Sequence, residues 1–96
     1  MSFEQHQTED RRLVILKLLE QANQYTINEF LMRTALEQFG HGVGADRLRT
    51  DLTWLKDQDL IMIDNPGGVY VATATLPGID VAQGRMVVPG VKRPRP

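Results

Sequence analysis

The chain contains no cysteine. That absence excludes disulfides, a thiol nucleophile and any thiolate metal site. Histidine is nearly absent too: His6 and His41 lie far apart in sequence, and neither has an obvious nucleophile partner. No carboxylate pair stands apart from a solvated face, so the expectation is a protein that is not an enzyme and uses no metal and no cofactor. No apolar run approaches the ~20 residues that span a bilayer. The opening MSFEQHQTEDRR is polar, unlike a signal peptide, so no membrane partner and a cytoplasmic location are expected. Aromatic residues are few, and Trp54 is the only tryptophan. With no second aromatic on its helix, it reads as a core residue rather than a base-stacking platform.

Net charge is also slight, at −1, so bulk electrostatics do not announce a nucleic-acid binder. The distribution is lopsided. Arg85, Lys92, Arg93 and Arg95 follow Gln83 with no acid among them; these carry +4, leaving −1 − 4 = −5 on positions 1–83. Ninety-six residues make one domain. A chain of that size buries roughly 60–65% of its unfolded surface, enough for three helices and a small sheet. The expected division is a folded domain over 1–84 and a basic, proline-containing tail over 85–96, extended and poorly ordered because its prolines exclude helix and sheet interior.

A first helix is expected over about Thr8–Ala22, with Thr8 a candidate cap; Ser2 and Gln5 have capping-box spacing that could start it earlier. Ile15, Leu18, Leu19 and Ala22 form one stripe, while Leu13, Val14 and Leu16 add apolar surface elsewhere. A helix apolar beyond one face is covered on two sides. The second cover is expected from the C-terminal segment or from another subunit, which makes a homodimer through the first helix and the C-terminal segment the expected assembly. Tyr25-Thr26-Ile27 reads as a short strand. A second helix over roughly 28–39 carries Met32, Ala35, Leu36 and Phe39 on one face, capped by Asn28 or Thr26. Gly40, Gly42 and Gly44 then end it. A glycine loop can cradle phosphate, but no strand precedes this one and no Lys-Ser/Thr pair follows it, so it reads as the turn between two helices.

The stretch VGADRLRTDLTWLKDQDLIMI organises the rest. Leu48, Leu52 and Leu55 recur at helical spacing and mark a buried face on a helix over about Ala45–Gln58. Strands are expected at about Leu60–Ile63 and Val69–Thr73, joined by Asn65-Pro66-Gly67-Gly68, whose proline and glycines suit a tight turn. Thr75 can cap a short last helix over Leu76–Gln83. The fold class is therefore mainly α with a small β-hairpin, an α+β winged helix-turn-helix.

In such a module the third helix enters the major groove. Arg49 suits guanine through its planar fork, and Thr50 and Thr53 can bond to phosphates or bases. Asp46 can accept from cytosine, while Arg47 and Lys56 fall nearer the backbone. Against this, Asp46, Asp51, Asp57 and Asp59 outweigh Arg47, Arg49 and Lys56 by one charge, and several acids repel phosphates. The turn between the strands carries no Lys or Arg. The tail cations Arg85, Lys92, Arg93 and Arg95 are expected to contact DNA or a partner.

Leu13–Leu19, the helix-turn-helix and DLTWLKDQDLIMI followed by a hairpin resemble winged-helix proteins of the ArsR and MarR type. The layout, with its GIDVAQGR and PGVKRP endings, is similar to small ArsR-like proteins of Mu-like phages and prophages. In the family a glutamine-glycine-leucine-isoleucine step leads into the wing. Here the step is Gln58-Asp59-Leu60-Ile61, with Asp59 at a position that needs a left-handed backbone, which Asp tolerates better than most residues. Family sensors hold metal with cysteines or clustered His and carboxylates, so metal sensing is not carried over. The resemblance implies a double-stranded-DNA-binding transcriptional regulator or an accessory role in phage development. The alternative is a winged helix used for protein–protein interaction.

Overall fold

The computed structural model describes residues 2–95, so Met1 and Pro96 lie outside the described residues. Helix α1 runs Phe3–Gln21, earlier than a Thr8 cap would place it, because Ser2 accepts a hydrogen bond from the Gln5 amide and caps it. Strand β1, Thr26–Asn28, leads directly into α2, Glu29–Gln38, which Asn28 caps by accepting from Leu31 N–H at 2.9 Å. Past Gly40 (φ +77°) and a short turn comes α3, Ala45–Asp57. Its end is closed by Leu60 N–H donating to Leu55 O at 3.0 Å, with Asp59 at φ +61° between them. Strands β2, Ile61–Asp64, and β3, Val71–Ala74, form the wing, and α4, Leu76–Ala82, closes the chain's regular structure.

The sheet is antiparallel in the order β1-β3-β2, with Thr26 opposite Thr73 and Ile63 opposite Ala72. Ala72 and Ala74 on the central strand are buried, with Ile15, Leu16 and Leu19 of α1, Met32 and Leu36 of α2, and Leu48, Leu52 and Leu55 of α3 in the same core. Each of the buried Leu, Ile and Met side chains stabilises the fold by about 1.5–3 kcal/mol relative to exposure. Helix α2, the turn and α3 are thus the helix-turn-helix, and β2–β3 the wing, of an α+β winged helix-turn-helix. Among the described residues no helix is long and apolar enough to cross a membrane.

The C-terminal segment departs from the expectation of a free, poorly ordered tail. Its described residues form no helix or strand, but Val91 is buried in the core and Val88 packs against it. Lys92 N–H donates to Glu9 O at 3.1 Å, and Arg12 Nη1 donates to Gly90 O at 3.0 Å. The prolines do exclude regular structure, but they leave the apolar Val88 and Val91 free to cover α1. The second cover of that helix is therefore supplied by α4 and this segment within one chain.

Candidate nucleic-acid interface

The leucine stripe of α3 determines what the helix offers outward. With Leu48, Leu52 and Leu55 turned into the core, Asp46, Arg47, Thr50, Thr53, Lys56 and Asp57 are exposed. Thr50 Oγ1 donates back to Asp46 O at 2.9 Å, so its hydroxyl presents lone pairs rather than a proton. A shallow cleft of about 420 Å³ runs along Arg49, Thr50, Thr53, Trp54 and Asp57. A second, of about 280 Å³, lies between Thr53 and Lys56 of α3 and Ile63, Asn65 and Tyr70 of the wing.

Arg49 occupies a different place from the one its chemistry suggests. Its Nε donates to Glu29 Oε1 at 2.9 Å, and its Nη2 donates to Glu29 Oε2 at 2.7 Å and to Gly68 O at 2.8 Å. The guanidinium also stacks over Tyr70, 4.1 Å from the ring centroid, and Tyr70 N–H donates to Glu29 Oε2 at 2.7 Å. Arg49 thus ties α3 to the start of α2 and to the wing tip. The hydrogen bonds from Arg49 hold the buried Glu29 carboxyl below its ordinary value, outweighing burial, which raises it; Tyr70 N–H adds to the lowering. The same pair raises Arg49 above its already high value.

Asp51 also corrects a sequence-based expectation, because it is not one of the outward acids. It is 1% exposed and accepts from Arg11 Nε at 2.5 Å and Arg12 Nε at 3.3 Å. With Asp51 paired inward and Arg49 bonded to Glu29, the exposed charges here are Asp46, Asp57 and Asp59 against Arg47 and Lys56, still −3 + 2 = −1. Trp54 is half-buried, with the Arg12 guanidinium 3.9 Å from its ring centroid and Gly90 against its other atoms.

The tail cations do not form one patch. Arg85 donates to Asp80 Oδ1 at 2.9 Å, and Lys92 Nζ lies 3.4 Å from Asp10 Oδ1. Arg93 and Arg95 are exposed and line a cleft with Gln83 and Gly84 at the end of α4. Asp10 Oδ2 also accepts from His41 Nε2 at 2.6 Å; partial burial raises the Asp10 carboxyl, but His41 and Lys92 together leave it lowered. Among the described residues no group of His, Cys, Asp and Glu is arranged to hold a metal ion.

Two features were hidden from sequence reasoning. One is the role of Glu29, which reads from sequence as the capping-box partner of Thr26 at the start of α2. The other is an uncharged groove of about 650 Å³ where Ile27, Leu31, Ala35 and Val71 meet beside the edge strand β1. Leu31 and Phe30 next to it are 61% and 59% exposed. A signal for the groove existed in the apolar residues 30 and 31, which fall beside the stripe of Met32 and Leu36.

No family model matches the chain, and no solved structure matches it. It is 48% identical over 89 residues to the uncharacterized protein gp26 of Escherichia phage Mu, an alignment covering 93% of this chain and 92% of that protein. It is 40% identical over 76 residues to an uncharacterized protein of Haemophilus influenzae strain Rd, covering 78% and 74% respectively.

Proposed function

From the premise that the chain belongs to the family of the Escherichia phage Mu protein gp26, we propose that it is a DNA-binding winged helix of ArsR-like type, a transcriptional regulator of phage or prophage origin acting in the cytoplasm. The observation that carries this reading is the outward face of α3. Arg47, Thr50, Thr53 and Lys56 are exposed together on a helix whose other side is held by three buried leucines. A rigid helix with hydroxyls and cations facing out matches what a major groove accepts. In this reading Thr50 and Thr53 meet base edges, Arg47 and Lys56 meet phosphates, and Arg49 positions the helix rather than reading guanine. The wing, without a cation, adds a main-chain contact at most. As a homodimer, two α3 helices enter successive grooves; the exposed apolar residues open to pairing include Phe3 of α1, Phe30 and Leu31 of α2, and Val87 of the C-terminal segment.

Fluorescence anisotropy on pooled duplexes tests it. Affinity falls with salt at a log–log slope of roughly −0.9 per phosphate neutralised. Arg47→Ala weakens all duplexes alike, and Thr50→Ala relaxes preference at one position. Failure to shift any duplex at low salt removes the reading.

A second reading, a winged helix that binds protein, is favoured by the uncharged groove at Ile27, Leu31, Ala35 and Val71 and by the net −1 of the α3 surface.

A further inference from the structure

We infer that the cleft between α1, the Gly40–Gly44 turn and the start of α3 binds one phosphate-type oxyanion, whether a backbone phosphodiester or free phosphate. The cleft measures about 350 Å³, and its walls include Gln7, Arg11, His41, Gly42, Gly44 and Arg47.

Helix α3 is thirteen residues long and its capping position is Gly44, which has no side chain to accept from the first-turn amides. Those orphan donors, with the positive end of the helix dipole, favour an anion. A Cβ at Gly44 would meet nothing within 4 Å, and one at Gly42 only Glu37 Cγ at 3.4 Å, so the main chain is open to close approach.

The second observation is Arg11. It is 4% exposed yet forms part of the cleft wall, and its Nη2, which solvent does not reach in this conformation, has no hydrogen-bond partner among the described residues. Its Nε is bound to Asp51, which Arg12 shares. Two guanidiniums on one carboxylate leave a net +1 in buried surroundings, and a buried charge without a counter-charge is costly. Arg47, exposed at the rim, adds another cation. Of the nearby acids, Asp10 is already engaged by His41 and Lys92, while Asp46, in the first turn of α3, and Glu37, beside Gly42, are exposed. No ring but the imidazole of His41 lines the cleft, so a base has nowhere to stack. The occupant is therefore a phosphate group rather than a whole nucleotide.

The site rests on these groups; only its assignment to duplex DNA rests on the function proposed above. The test is ¹H–¹⁵N NMR of the full chain titrated with inorganic phosphate at constant ionic strength. The expected result is saturable shifts at the Gly42, Gly44 and Arg47 amides. Arg47→Ala weakens the binding about tenfold, the loss of one charge-assisted contact. Gly44→Asp places a carboxylate on the same amides at a backbone geometry suited to a cap (φ −75°, ψ 172°). It abolishes phosphate binding without lowering the melting temperature. Duplex that shifts the same amides in competition with phosphate makes the phosphodiester the occupant. If phosphate binds and duplex does not, the site stands for free phosphate and the DNA reading fails. Absence of saturable shifts, or binding unchanged in both variants, overturns the site.

Discussion

Arg49 and Glu29, twenty residues apart, form a two-point ion pair, Nε to Oε1 at 2.9 Å and Nη2 to Oε2 at 2.7 Å. The pair joins α3, the helix before it and, through Gly68 and Tyr70, the wing. A carboxyl held below its ordinary value stabilises the fold fully above that value, and the contribution is lost as pH falls through the lowered one. Glu29→Gln should therefore cost about 1–3 kcal/mol at neutral pH by leaving Arg49 and Tyr70 donors short of an acceptor. The gap between wild type and variant should close below about pH 4.3, where an ordinary Glu protonates. Urea unfolding at pH 7, 4 and 3 measures it. A gap that stays constant across this range refutes the account.

Asp51 is the shared counter-charge of Arg11 and Arg12. Removing one member of a buried ionic cluster typically costs about 3–5 kcal/mol, because the remaining charges lose their partner. Asp51→Asn should fall in that range, and an equally exposed-looking change on the same helix, Asp57→Asn, should fall within about 0.5 kcal/mol of wild type. Denaturant midpoints of the two variants decide it.

Gly90 lies on Trp54 at φ +100°, and a Cβ there would sit 2.5 Å from Trp54 Cζ2. Gly90→Ala should lift the C-terminal segment from α1 and α3, costing about 1–3 kcal/mol. Because Trp54 is the only tryptophan, its emission reports the event alone: it should shift to the red. An unchanged spectrum with unchanged stability would show that the segment does not hold that contact in solution.

Gly78 brings α4 against the main chain at Leu60, where an added Cβ would lie 2.0 Å from the carbonyl oxygen. Alanine inside a helix is worth about 1 kcal/mol over glycine. Overlap with a backbone atom that cannot swing aside reverses that gain, so Gly78→Ala should lose about 2 kcal/mol net. A melting temperature at or above wild type would refute this close packing.

Local chemistry made much of the fold legible from sequence alone. Leucines at 48, 52 and 55 repeat with the helix period, Ser2 and Asn28 are cap residues at helix starts, and Pro66-Gly67-Gly68 can only turn. Asp59 is of a residue type that tolerates the left-handed region, and it has φ +61°. Each of these depends on a few consecutive residues. What Arg49, Asp51 and Gly90 do depended on partners 20, 39–40 and 36 positions away, Glu29, the Arg11–Arg12 pair and Trp54. Such partners meet only after the helices, wing and C-terminal segment have docked. An arginine that looked ready for a base and an aspartate that looked solvated are therefore both held inside the framework. Hydrophobic periodicity dictated which face of α3 turns inward, but only tertiary packing decided which charges on that helix remain free to meet another molecule.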